Sequence, residues 1–141
     1  VQAGAFTTIL QAGKSSMGAL LIVEDEANIR RFVAANLSAR GYQVLEAGDA
    51  EEGLRLMHQE APSVLVLDIR LPGMSGWDLL DEMAKEAALA SIPVIVMTAS
   101  VTNIRFGEMS YSNVVQWLVK PVSVHELIHA VKKALNHASS A

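Results

Sequence analysis

Apolar and polar positions alternate along this chain with two different periods. Short, mainly apolar runs occur at 19–23 (ALLIV), 42–45 (YQVL), 64–68 (VLVLD, ending in Asp68), 92–97 (IPVIVM) and 114–119 (VVQWLV). Short runs of this kind, bounded by turn formers, read as strands buried on both faces inside a parallel sheet. Between them the apolar residues recur at helical spacing. A helix is predicted from Ala27 to Arg40, with Ile29, Phe32, Val33 and Leu37 on one face, Arg30, Arg31 and Arg40 off it, and Gly41 ending it. Asp49 caps a second helix to about Glu60, with Glu52 three residues on as the reciprocal half of a capping box. A third runs from Gly76 to about Ala88 along the stripe Leu80, Met83, Ala84 and Ala87. The stretch from Val101 to Ser112 is the least regular: Gly107 weakens a helix by roughly 1 kcal/mol, and Ile104, Phe106 and Met109 make no clean stripe. A short or mobile fourth helix is expected there. Ser123 and Glu126 form another capping box, opening a fifth helix whose face is Val124, Leu127, Ile128, Val131 and Leu135, with a fraying tail after Asn136. Strands and helices in strict alternation predict βαβ units and a doubly wound, three-layer α/β domain.

Composition narrows what such a domain can do. The chain has 141 residues, 51% apolar and 18% charged, enough to bury a core without staples. No apolar run approaches the roughly 18 residues that cross a bilayer. The absence of cysteine removes disulfides, thiolate metal sites and cysteine nucleophiles together. A net charge of −4 argues against direct binding of nucleic acid, which needs a basic footprint. Residues 1–17 lack a clean period and are expected to be a leader, either an expression remnant or a short linker, ahead of one domain over 18–138.

The candidate chemistry lies where the apolar runs end. Glu24 and Asp25 follow the first, Asp68 ends the third, Thr98 follows the fourth and Lys120 the fifth. In an open α/β sheet these ends share one edge, outside which ligands bind. Each residue alone has an ordinary explanation, Asp68 as a turn cap, Thr98 as a strand-end hydroxyl and Lys120 as a solvated charge. Together they describe a site. Three carboxylates within ~4 Å repel by about 4 kcal/mol per pair at the effective dielectric of a protein surface, and a hard divalent cation relieves this. Oxygen ligands without His or Cys suit Mg²⁺ better than zinc. With a lysine and a hydroxyl opposite, the set forms a cradle for a phosphoryl group in transfer. Asp68, alone on the central strand, is the candidate nucleophile.

The segments LIVEDE, VLDIRLPGMSG, MTAS and LVKP, in this order and each on a predicted strand end, resemble the receiver domain of two-component response regulators over residues 19 to about 136. The resemblance implies a flavodoxin-like three-layer sandwich with strand order 2-1-3-4-5. It implies that Asp68 accepts a phosphoryl group from the phosphohistidine of a sensor kinase or phosphotransfer protein, with Mg²⁺ (or Mn²⁺) held by Glu24, Asp25, Asp68 and the backbone carbonyl of Arg70. Thr98 matches the hydroxyl that swings towards the phosphoryl group and Lys120 the lysine that pairs with it, the Lys120–Pro121 peptide being cis in the family. Trp117 falls at the switching aromatic, and Arg70 and Ser100 at the positions that tune phosphoryl loss. The implied output is a changed affinity of the face formed by the 101–112 helix, the fifth strand and the fifth helix. The partner there is a downstream protein, a fused output domain or a second copy. A cytoplasmic signalling module follows, not a turnover enzyme and not a membrane protein.

Three departures accompany the match. Glu24 replaces the commoner Asp, Trp117 is bulkier than the usual Tyr or Phe, and Asn113 stands where the family has Gly, a substitution expected to survive because Asn tolerates positive φ. A degenerate receiver that binds partners without phosphorylation is one rival reading. An Asp-nucleophile phosphohydrolase is another, and it lacks the second acid, since Arg70 occupies that position. Trp77 reads as half-buried packing, Met74 and Met83 as core or turn filler, and Arg30 and Arg31 as a solvated face. His58, His125, His129 and His137 are scattered over predicted helices without metal-site spacing.

Overall fold

The computed structural model describes residues 18–102, 104 and 111–140. The predicted leader and most of the 101–112 helix lie outside the described residues. The elements are β1 (Leu20–Val23), α1 (Ala27–Ser38), β2 (Val44–Ala47), α2 (Ala50–Glu60), β3 (Val64–Asp68), α3 (Gly76–Ala84), a single turn α4 (Ala87–Ala90), β4 (Val94–Thr98), β5 (Val114–Val119) and α5 (Val124–Ser140). The strands form one parallel sheet in the order β2-β1-β3-β4-β5, the expected doubly wound topology.

The central strands are apolar throughout because both of their faces are covered. One cluster joins Leu21, Leu65, Leu67 and Val96 to Met57 of α2 and Leu79, Leu80 and Met83 of α3. On the other side Leu20, Ile22, Val66 and Ile95 meet Val33 and Leu37 of α1 and Leu127 and Val131 of α5. Each fully buried Leu, Ile or Val contributes roughly 1.5–3 kcal/mol relative to exposure. Burial on this scale fixes the register, and the register fixes the site. Val23 lies beside Leu67, Asp68 beside Met97, and Thr98 beside Val119. The residues that end or follow these strands are therefore brought to one edge.

Several local expectations are corrected. β2 lies two residues later than predicted, at Val44–Ala47, because its exposed Glu46 breaks the apolar run that marked it. α1 ends at Ser38, and Gly41 serves the turn beyond with φ +90°. Phe32 is half exposed, at 51%, and Ala34 takes its place in the core. The third helix breaks at Lys85 and Glu86, so Ala84 and Ala87 face solvent while Leu79 and Leu89 are buried. Asp49 accepts from the Glu52 amide, but the Glu52 carboxylate pairs with Arg55 instead of returning to Asp49. The reciprocal box that forms besides Ser123 with Glu126 is Ser75 with Asp78. α5 runs on through Ser140. Asn113 does not use positive φ: among the described residues the one non-glycine that does is Ala61, which closes α2.

Candidate functional site

β3 delivers Asp68 to the sheet edge at 4% exposure. The turn after it is held by a close approach that only glycine permits. A Cβ on Gly76 would lie 2.6 Å from the Ile69 Cα and 2.9 Å from the Asp68 carbonyl oxygen, while the Gly76 amide donates to the Ile69 carbonyl at 2.9 Å. The Asp68 carboxylate is fixed at both oxygens. Oδ1 accepts from the Arg70 amide at 3.1 Å, and Oδ2 accepts from Lys120 Nζ at 3.0 Å.

Lys120 is shared. The same ammonium donates to Glu24 Oε1 at 2.9 Å, and Glu24 Oε2 accepts from the Glu26 amide at 3.1 Å. Glu24 is fully buried, and burial pushes its carboxyl up to about 7; the Lys120 and Glu26 hydrogen bonds pull it down and the nearby Asp68 charge raises it again. Burial also works against the Lys120 charge, but its bonds to Glu24 and Asp68 outweigh that and hold its pKa above the usual lysine value. Asp25, by contrast, is exposed at the mouth.

Glu24, Asp25 and Asp68 each offer a carboxylate oxygen within 4.8 Å of the others. Three hard, anionic oxygens converging beside an open cleft suit a divalent cation that keeps some of its water. The cleft has a volume of about 470 Å³ and is lined by Asp25, Glu26, Asp68, Arg70, Thr98 and Lys120, among others. Thr98 is buried, with its hydroxyl accepting from the Ser100 amide at 3.1 Å and its carbonyl accepting from the Lys120 amide at 2.8 Å. The Lys120–Pro121 peptide is cis, as the resemblance implied.

Five sequence-predicted residues, Glu24, Asp25, Asp68, Thr98 and Lys120, are thus brought to one edge, with Arg70 and Ser100 beside them. Trp117 stands apart from the cleft. One extra β5 residue opposite the Val94–Ile95 junction resets the alternation of that strand. The Trp117 ring consequently packs on the α3 side, 6.1 Å from Trp77, and Trp77 in turn stacks on Tyr111 at 5.6 Å. The Tyr111 hydroxyl donates to Asp81 at 2.9 Å.

Two contributors escaped the sequence reading. The Glu26 amide contact with Glu24 follows from the β1–α1 turn, which no side-chain pattern marks. Arg30, expected on a solvated face, instead donates from Nη1 to the Glu24 carbonyl at 2.8 Å and from Nε to Glu46 at 3.3 Å. An arginine six residues after an acid on the first strand end was the available signal, but its target is backbone and leaves no trace in the pattern.

Comparison with known proteins agrees with this architecture. The profile of the response regulator receiver domain family matches residues 20–132. A probable transcriptional regulator, ycf27 of Guillardia theta, is 36% identical over 128 residues, covering 86% of this chain and 47% of the relative. The transcriptional regulatory protein PdtaR of Mycobacterium tuberculosis is 32% identical over 118 residues, covering 83% and 56%. The chain therefore spans about half the length of these curated relatives. A CheY-like receiver domain protein from Methanospirillum hungatei superposes with a TM-score of 0.78 at 28% identity, covering 87% of this chain and 97% of that one. With its sheet order, its strand-end acids and a family match over most of its length, the chain belongs to the response regulator receiver domains of two-component systems.

Proposed function

We propose that Asp68 accepts a phosphoryl group from the phosphohistidine of a sensor kinase or phosphotransfer protein and that the domain acts as a phosphorylation switch. The observation that carries this reading is the Asp68 carboxylate, buried yet facing the cleft, with Lys120 at 3.0 Å and two further acids within 4.8 Å. An Asp68 oxygen attacks phosphorus, the phosphorus–nitrogen bond to the donor imidazole breaks, and an acyl phosphate forms as the imidazole leaves. Lys120, already between Asp68 and Glu24, balances the charge gained. The Arg70 amide orients Asp68 by holding Oδ1. A Mg²⁺ ion held by Glu24, Asp25, Asp68 and the Arg70 carbonyl supplies positive charge against the phosphoryl oxygens when bound, and Mn²⁺ serves in its place.

The phosphoryl group brings roughly −1.5 to −2 charge into the cleft. The Thr98 hydroxyl gives up its Ser100 contact and turns towards it, and the arrangement of Trp117 against Trp77 shifts with it. Arg70 and Ser100, which border the cleft, set how readily water reaches the acyl phosphate. The readout is a changed affinity at the face of the 101–112 segment, β5 and α5, for a fused output domain, a separate protein or a second copy. The longer relatives described as transcriptional regulators support an output acting on transcription. No helix among the described residues is long and apolar enough to cross a membrane, and the reading places the domain in the cytoplasm with its kinase.

Incubation with acetyl phosphate and Mg²⁺, followed by intact mass measurement, tests the proposal. One phosphoryl addition is expected, lost in Asp68→Asn and on adding EDTA. No addition, or addition that survives Asp68→Asn, overturns it.

A further inference from the structure

The geometry points to Arg30 as a positioning residue that sets the metal-binding acids by clamping the backbone between them. The inference rests on the functional reading above and extends it to a residue outside the cleft.

Every polar group of Glu24 is held. Its amide donates to the Ala47 carbonyl at 3.1 Å, its carbonyl accepts from Arg30 Nη1 at 2.8 Å, and its two carboxylate oxygens accept from Lys120 and the Glu26 amide at 2.9 and 3.1 Å. Three of these contacts come from the sheet, the cleft lysine and the adjoining turn. The fourth requires a side chain reaching back from α1. Arg30 is placed to do so because α1 begins at Ala27 and the Arg30 amide is bonded to the Glu26 carbonyl at 2.9 Å, in the first turn. Its guanidinium is then steered by Glu46, at 3.3 Å, on the strand whose next residue, Ala47, holds the Glu24 amide. β2 thus acts on residue 24 twice, directly and through the arginine.

The consequence falls on Asp25. Fixing both the amide and the carbonyl of residue 24 fixes the direction in which the chain enters residue 25, the exposed acid of the trio. A charge-assisted bond to a carbonyl is among the stronger hydrogen bonds a side chain makes. The Arg30 side chain is only 18% exposed, so water substitutes poorly for it. A guanidinium does this better than an ammonium because its fork serves the Glu24 carbonyl and the Glu46 carboxylate from separate nitrogens.

Positioning and plain electrostatics predict opposite signs. As a nearby positive charge, Arg30 repels a cation, and its removal would tighten Mg²⁺ binding. As a clamp, it holds the ligand geometry, and its removal weakens binding. Outer partners of metal ligands typically matter by 10- to 100-fold in affinity.

The test is Mg²⁺ titration by calorimetry of the full chain, with thermal unfolding as a check on folding. Arg30→Met is expected to weaken Mg²⁺ binding roughly 10-fold or more. Its phosphorylation by acetyl phosphate should recover to near the unsubstituted rate once Mg²⁺ is saturating. Arg30→Lys, which keeps the charge and serves if the Met variant does not fold, should fall between the two. Arg31→Met removes the same charge from an exposed neighbour and should leave affinity unchanged or slightly tighter. Unchanged or tighter binding in Arg30→Met, or equal weakening in Arg31→Met, overturns the clamp while leaving the phosphorylation reading intact. A parent protein that binds no Mg²⁺ overturns both.

Discussion

Two clefts lie at opposite edges of the sheet, and the proposed site is the smaller of them. The one at the amino-terminal edge has a volume of about 700 Å³ and is lined by residues that precede β3, β4 and β5, including Ser63, Pro93 and Asn113. Its main polar feature is His58 paired with Glu86 at 2.9 Å, each side chain about half exposed, at 48% and 50%. The carboxyl-edge cleft has about 470 Å³ but is lined by a buried carboxylate, a buried hydroxyl and a lysine that bonds both Asp68 and the fully buried Glu24. Volume alone favours the larger cleft. Convergence of desolvated, mutually bonded charges favours the smaller one instead, because perturbed, desolvated charges concentrate where a ligand or a reaction uses them.

The comparison is sharpened most by removing Lys120. Breaking a buried pair from one side typically destabilises by roughly 3–5 kcal/mol. Lys120→Met should fall at the lower end, since Glu24, already pushed to about 7 by burial, can take up a proton. Urea unfolding measures this, and the same variant should accept phosphoryl groups far more slowly. Gly76→Ala comes next. Its Cβ meets backbone that cannot move aside, so overpacking of about 1–3 kcal/mol is expected, with slower phosphorylation because the Asp68 turn shifts. In Trp77→Phe, Trp117 is the remaining indole, and its emission should change on adding beryllofluoride with Mg²⁺; unmoved emission would sever the proposed link from cleft to β5. The smallest effect belongs to the other cleft. Glu86→Gln should alter stability by less than about 1 kcal/mol, as exposed ion pairs do, and leave the phosphorylation rate unchanged. A large loss of rate there would break the contrast between the two edges.

What was legible in the sequence follows the same division. β3 was placed residue for residue, since an apolar run between turn formers reads as a strand covered on both faces. The bounds of β5 were also met, although Gln116 interrupts it and it is only half-buried. The strand-end residues could then be collected onto one edge by topology alone. β2 was misplaced because it is half exposed and carries Glu46, so its pattern is mixed. Phe32 misled for a related reason: helical period identifies a face, but its margin depends on how closely a neighbouring element packs. Contacts across long separations left no mark at all. Trp77 stacks on Tyr111, and Arg30 reaches back to a carbonyl, yet neither relation has a spacing to read. Which residues gather at the carboxyl edge was legible; the bonds that orient them required the fold.

The central claim is that one carboxylate, Asp68, takes the phosphoryl group. Borohydride reduces an aspartyl phosphate to homoserine, so treating the phosphorylated protein and mapping its peptides identifies the acceptor directly. The account predicts homoserine at position 68 and at no other acid, with none formed when Mg²⁺ is withheld. Homoserine at Asp25, at Asp81 or at any other aspartate, or its absence from position 68 in protein that carries the phosphoryl mass, would contradict it.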